Sequence, residues 1–141
     1  MPAQTTTERI TDHPDIEDVT LQDVLEALVD PVRRSIVRQL ATAPHDMACG
    51  TFDISVTRST GTHHFKVLRH AGIIRQYYVG TSKMNTLLRD DLERAFPGLL
   101  SAIVDAANEE AAERSRRRPI ARRPIARRPV ARQSDVRPQG G

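Results

Sequence analysis

Tryptophan is absent, and aromatic residues make up only 4% of the 141-residue chain. A core must therefore be built from Leu, Ile, Val and Ala, within a hydrophobic fraction of 38%. The single cysteine, Cys49, excludes an intramolecular disulfide. No apolar run approaches the ~18 residues of a membrane-spanning helix, and the N-terminal stretch MPAQTTTERITDHPDIEDV has no apolar signal-peptide core. The chain is expected to be cytoplasmic, with no membrane partner. No paired acid/base constellation, nucleotide loop or nucleophile motif is present, so no enzymatic activity is expected. His13 and His45 lie in polar segments with no evident partner.

The most informative absence is that of acidic residues from one window. Residues 54–89 contain Arg58, Lys66, Arg69, Arg75, Lys83 and Arg89 and no Asp or Glu, for a charge of +6. The flanking segments 1–53 and 90–113 each carry −6, and residues 114–141, with ten Arg against Asp135, carry +9. The formal net charge of +3 conceals this division. A surface that must approach phosphate tolerates carboxylates poorly.

Residues 1–19 lack an apolar period and read as a flexible arm. Thr20 is positioned to cap a helix in which Leu21, Val24, Leu25 and Leu28 follow the spacing of one buried face. Asp30-Pro31 ends that helix and starts the next, Asp as N-cap and Pro at the first turn, where its missing N–H costs nothing. Val32, Ile36 and Leu40 line the inner face of this second helix, and Arg33, Arg34 and Arg38 point elsewhere. Met47 to Ile54 reads as a short irregular helix. Thr57 is an N-cap candidate for a helix over about 58–71, with Gly61, Phe65 and Leu68 inward and Arg58, Ser59, Thr62, His63 and Lys66 opposite. Gly72 stops it.

From Ile73 the period changes from 3.6 to 2. IIRQYYV and KMNTLL are strand-like, and Gly80-Thr81-Ser82 between them reads as a hairpin turn. Asp90 is an N-cap candidate for the following DLERAF, and Pro97 marks a fresh helix start. Leu99, Leu100, Ile103, Val104 and Ala107 then form an apolar stripe on a helix expected to end near Arg114. RRPIA at 117–121 and 122–126 and RRPVA at 127–131 form a repeat. Proline at every fifth position opposes a continuous helix, and the composition buries too little to offset chain entropy. The predicted organisation is an arm over 1–19, one folded domain over 20–114 and a disordered Arg/Pro-rich tail over 115–141.

The element order, with a polar and basic helix followed by a hairpin carrying Lys83 near its tip, is the layout of a winged helix-turn-helix. The fold class predicted is mainly α, with a two-stranded β-wing and a C-terminal dimerisation helix. A helix of ~10–12 Å diameter fits the major groove of B-DNA, which is ~12 Å wide. ALVDPVRRSIVRQLA at 27–41 resembles the opening segment of ArsR-type repressors, and TRSTGTHHFKVLRHAGII at 57–74 resembles their recognition segment. The resemblance covers roughly residues 20–105. MACGTFDISV at 47–56 is similar to one branch of that family.

The resemblance implies a homodimeric transcription regulator, commonly a repressor, that binds double-stranded DNA and in many members releases it on binding a small-molecule effector or a metal. Carried over by position, the base- and phosphate-contacting set is Arg58, Ser59, Thr62 and His63, with Thr60 and Lys66 flanking. Arg58 is the candidate for a guanine contact, because its fork pairs two acceptors at once. Arg75 and Lys83 are assigned to phosphate. The family dimerises through its first and last helices, which assigns Leu21, Leu99, Leu100, Ile103, Val104 and Ala107 to the interface. Gly61 stands where family members commonly carry a β-branched residue.

Metal-sensing members place a Cys pair near the third helix, or His and carboxylate ligands on the last. Cys49 has no Cys neighbour and residues 91–114 contain no His, so neither a metal site nor a cofactor is expected. Cys49 is read as a small buried apolar residue. His63 and His64 are read as a pair facing DNA, which would strengthen binding at mildly acidic pH. The tail is read as an added electrostatic contact to DNA. The alternative is a non-specific nucleic-acid or chromosome-associated protein whose tail supplies most of the affinity.

Overall fold

In the computed structural model the described residues are Ile10 and residues 12–121, with side chains through Arg117. The rest of the predicted arm and most of the predicted tail, including the second and third repeats, lie outside the described residues. The elements are α1 (Leu21–Leu28), α2 (Pro31–Thr42), β1 (Met47–Ala48), α3 (Arg58–His70), β2 (Ile74–Val79), β3 (Ser82–Leu87), α4 (Arg89–Ala95) and α5 (Leu99–Ala121). One compact unit ends at Ala107 and a second begins at Asn108, part-way along α5.

Local chemistry sets the helix boundaries. Thr20 and Asp23 form a reciprocal capping box at the start of α1, the Asp23 N–H donating to Thr20 Oγ1 (3.1 Å) and the Thr20 N–H to Asp23 Oδ2 (3.0 Å). Asp30 Oδ1 accepts from the N–H groups of Val32 (2.8 Å) and Arg33 (3.3 Å), and Pro31 occupies the first turn of α2. The orphan carbonyls at the C-terminal end of α1 are met by guanidinium groups from α2. Arg33 Nε donates to Ala27 O (2.6 Å), and Arg34 Nη1 donates to Leu28 O and Val29 O (2.9 Å each). The arginines that the sequence only turns away from the core thus tie α1 to α2.

The core gathers Val24, Ala27 and Leu28 of α1, Ile36, Val37 and Leu40 of α2, Phe65 and Leu68 of α3, and Ile73, Ile74, Leu87 and Leu92. Each fully buried large apolar side chain contributes ~1.5–3 kcal/mol. Phe52 and Phe65 supply the aromatic share as an edge-to-face pair with ring centroids 5.2 Å apart. Leu21 and Leu25 do not belong to the buried face assigned to them. They are 48% and 44% exposed, and Val29 is 71% exposed. Leu21 and Leu25 share the outer side of α1 and Val29 follows at its C-cap, while Ala27 replaces Leu25 in the core.

The sheet has three strands in the order β1-β3-β2, all antiparallel, with Ile74 opposite Leu87, Gln76 opposite Asn85 and Met47 opposite Asn85 on the other side. The β2–β3 hairpin is the expected two-stranded wing, and β1 adds a short third strand beside it. One expectation is corrected: Met47–Ile54 is not an irregular helix. Its first two residues pair with β3, and only Cys49–Thr51 coil, as a single 3-10 turn. Gly50 weakens any longer helix. The hairpin loop is Gly80-Thr81, with Ser82 already in β3. Gly80 has φ +62° and no non-glycine residue described has positive φ, the type II′ pattern suited to a two-residue turn.

The described part of the N-terminal segment is docked rather than free. It forms a 3-10 turn over Ile16–Asp18, buries Val19, and places His13 Nε2 to accept the Gln76 N–H (3.0 Å) of edge strand β2. His13 is thus not the unpartnered residue its sequence context suggests, and the His45 ring contacts the neighbouring Asp46 carbonyl. Helix α4 starts after Leu88 with no side-chain cap, so Asp90 lies in its first turn and is not the expected N-cap, and α5 starts at Leu99 after Gly98 (φ +82°) rather than at Pro97. Helix α5 passes the expected end at Arg114 and continues through the first repeat to Ala121. Pro119 falls two residues from that end. Glu113 pairs with Arg116 and, at 3.2 Å, with Arg117.

Helix α3 ends in a Schellman motif. The Ile73 N–H donates to Leu68 O (3.0 Å) and the Gly72 N–H to Arg69 O (3.1 Å), with Gly72 at φ +75°. A Cβ on Gly72 would also stand 2.7 Å from Val19 Cγ2. Gly72→Ala is therefore expected to destabilise by more than the ~1–3 kcal/mol of left-handed backbone strain alone. In urea unfolding, Val19→Ala combined with Gly72→Ala should cost less than the two single changes together. Strict additivity would show that the Val19 contact contributes nothing.

Candidate nucleic-acid interface

Helix α3 divides cleanly into two faces. Gly61, His64, Phe65 and Leu68, at i, i+3, i+4 and i+7, are buried. Arg58, Ser59, Thr60, Thr62, His63 and Lys66 are all exposed, as the sequence pattern predicts. The burial of Phe65 and Leu68 orients the helix, and its period then forces the polar set outward. Thr57 caps the N-terminus, accepting the Thr60 N–H at 3.2 Å. Thr57 Oγ1 also donates to Thr60 Oγ1 (2.9 Å), and the Thr62 hydroxyl donates back to Arg58 O (3.0 Å). The first turn is thereby held rigid, with short side chains around the Arg58 guanidinium.

The wing supplies two more exposed or partly exposed cations. Arg75 on β2 lies over the Tyr77 ring at 5.1 Å, and Lys83, next to the hairpin turn on β3, lies over the Tyr78 ring at 5.9 Å. Each ring limits the freedom of the cation above it. Two cations of the acid-free window are turned to structural use. Arg89 donates to Ala41 O (2.9 Å) at the end of α2. Arg69 is buried, donating to Gln76 Oε1 and to Asp12 Oδ2 (3.0 Å). Of the other cations in the window, Arg58 and Lys66 stand exposed on α3 and Lys83 is half-buried on the hairpin.

The expected pair of DNA-facing histidines is corrected. His63 faces out, but His64 is only 7% exposed and its Nδ1 lies 3.1 Å from Arg33 Nη1. A guanidinium only donates, so Nδ1 must accept, which requires the neutral ring. Burial pushes His64 below the ordinary imidazole range; Asp30 pulls the other way, and Arg33 and His63 add to the depression. Cys49 is also not the plain apolar residue expected. It is half-buried, and its Sγ accepts from Asn85 Nδ2 (3.2 Å) and, more weakly, Gln76 Nε2 (3.7 Å). These buried amide partners fall on strands distant in sequence, so local pattern carries no signal for them.

Of the apolar positions assigned to an interface, Leu21 is half-exposed, whereas Leu99, Leu100, Ile103 and Val104 are partly buried against their own core. Ala107 is half-buried. Among the described residues no group of three or more His, Cys, Asp or Glu side chains is placed to hold a metal ion, and no helix is long and apolar enough to cross a membrane.

The buried neutral His64 gives a signed pH dependence. Its folded pKa lies below the unfolded value near ~6.5, so its stabilising contribution is full above that value and lost as pH falls through it. Unfolding free energy should drop between pH 7 and pH 5, and His64→Phe should flatten that slope. An equal slope in both proteins, measured by chemical denaturation, would contradict the assignment.

No protein-family model matches the chain. The chain is 27% identical over 89 residues to YceK, an uncharacterized HTH-type transcriptional regulator of Bacillus subtilis (strain 168); the match spans 62% of this chain and 89% of that relative. A solved ArsR-like transcriptional regulator from Rhodococcus sp. RHA1 aligns over 67% of this chain and 90% of its own, at 22% identity and a TM-score of 0.48. The element order, the exposed face of α3 and the hairpin beside it make this chain a winged helix-turn-helix protein, similar in sequence to an HTH-type transcriptional regulator.

Proposed function

We propose that the protein is an ArsR-type transcription regulator, acting as a homodimeric repressor that binds double-stranded DNA sequence-specifically. The observation that carries this reading is the outward face of α3, where Arg58, Ser59, Thr62, His63 and Lys66 stand exposed in an acid-free stretch of chain. That face enters the major groove. Arg58 pairs with guanine acceptors, the short hydroxyl side chains let the backbone approach, and the helix N-terminus favours phosphate. Arg75 and Lys83 on the wing hold the flanking backbone. The similarity to an HTH-type regulator supports the same role.

The outer side of α1, with Leu21, Leu25 and Val29 exposed, supports self-association together with the stripe on α5. A dimer sets two α3 helices on half-sites about one helical turn apart. The +9 charge of residues 114–141 adds phosphate contacts independent of sequence.

Recovery of bound fragments from the source genome should return a short, two-fold related site. On that site Arg58→Ala should weaken binding by about 5- to 150-fold, the equivalent of the ~1–3 kcal/mol of a bidentate base contact, and relax the preference at one base pair. Removing residues 115–141 should lower affinity for specific and random DNA alike and flatten the salt dependence. A protein that binds random DNA as tightly as any recovered site is instead a non-specific nucleic-acid binder. Sedimentation as a monomer at micromolar concentration would remove the dimer.

A further inference from the structure

A cleft of about 490 Å³ opens beside the N-terminal half of α3, within the ~300–1,000 Å³ of typical small-molecule sites. The side chains lining it include buried Phe52 and Phe65, half-buried Ile54, and the cations Arg58 and Lys83. Among the described residues no carboxylate lines it. Gly61 contributes bare backbone to it. A Cβ there would meet Val56 Cγ2 at 3.7 Å and Ile54 Cδ1 at 3.9 Å, ordinary contact distances, so close packing does not demand glycine. The space is left open where a side chain would fit.

We propose that this cleft binds a small organic anion with an apolar body, of the aromatic or medium-chain carboxylate class, and that the occupant competes with DNA. Apolar surface from Phe52, Ile54 and Phe65 suits the body, and the Arg58 guanidinium and Lys83 ammonium suit the carboxylate. A neutral apolar compound leaves both cations uncompensated, and a bare inorganic anion leaves the aromatic walls wet. Arg58 and Lys83 also belong to the proposed DNA-contact set, so a bound carboxylate draws on the charges that phosphate would use. The competition, though not the binding site, rests on the DNA-binding reading. Whatever the anion does to DNA affinity, DNA must do to affinity for the anion.

The test titrates the full-length, ¹⁵N-labelled protein with benzoate, 1-naphthoate and octanoate, with their amides as neutral counterparts, and with acetate as an anion lacking a body. At least one of the three carboxylates should bind saturably, shifting the Gly50, Gly61 and Thr62 amide signals. Its amide and acetate should bind at least tenfold more weakly. Gly61→Leu, which fills the cleft, should weaken binding at least tenfold. Saturable binding by none of the three, or equal binding of carboxylate and amide, overturns the site, and this comparison needs only the wild-type protein. Unchanged affinity in folded Gly61→Leu also overturns it. The bound carboxylate should raise the apparent Kd for a recovered DNA site at least fivefold, and an unchanged Kd overturns the competition. A protein that binds no DNA even without a ligand refutes the regulator reading, while the titration still decides the cleft.

Discussion

Arg69 carries a permanent charge into the interior near the end of α3, and its partners decide how the protein is joined. A buried guanidinium is costly unless compensated by an opposite charge and by hydrogen bonds. Asp12 supplies the charge from the N-terminal segment. Hydrogen bonds from His70 and Arg69 hold its carboxyl well below the usual carboxylate range. Gln76 supplies the acceptor from β2 and passes the connection on, its Nε2 donating to Asn85 Oδ1 on β3 (2.8 Å). Asn85 Nδ2 in turn donates to Met47 O on β1 (3.1 Å). One chain of polar contacts therefore links α3 to every strand of the sheet. Because Gln76 and Asn85 are both fully buried, these hydrogen bonds have no water to fall back on.

This arrangement separates the cations by task. Arg33, Arg34 and Arg89 satisfy carbonyl groups at helix ends, and Arg69 joins helix to sheet. Arg58 and Lys66 stand on the exposed face of α3 and Lys83 on the hairpin, two elements that the interior network joins. Rigid presentation matters because phosphate contacts position a protein and base contacts specify it, and both require the same docking pose. The cleft beside Arg58 and Lys83 lies where those two elements meet, so an occupant acts on the charges that both present.

The helical frame was legible because its signals are local. Thr20, Asp30, Thr57 and Gly72 each act within a few residues of themselves, and all four do in the structure what their sequence neighbourhood predicts. The exposed face of α3 followed from a period of 3.6 anchored by Phe65 and Leu68. What was not legible depends on contacts between distant segments. Burial of His64 needs Arg33, 31 positions earlier, and docking of Asp12 needs Arg69 and His70, more than 50 positions later. Pairing of Met47–Ala48 with β3 made a third strand where the local pattern reads as irregular helix. On α1, periodicity alone selected Leu25 over Ala27 for the core, whereas packing against α2 made the opposite choice.

We propose that α3 and the wing meet DNA as one unit because Arg69 and its partners join them. A double-mutant cycle between Arg69 and Lys83, read as DNA affinity on a recovered site, tests it most directly. Lys83→Ala should cost several-fold in the wild-type background and clearly less in folded Arg69→Met, where the wing is no longer tied to α3, since coupled positions are non-additive. An equal cost in both backgrounds would contradict the account.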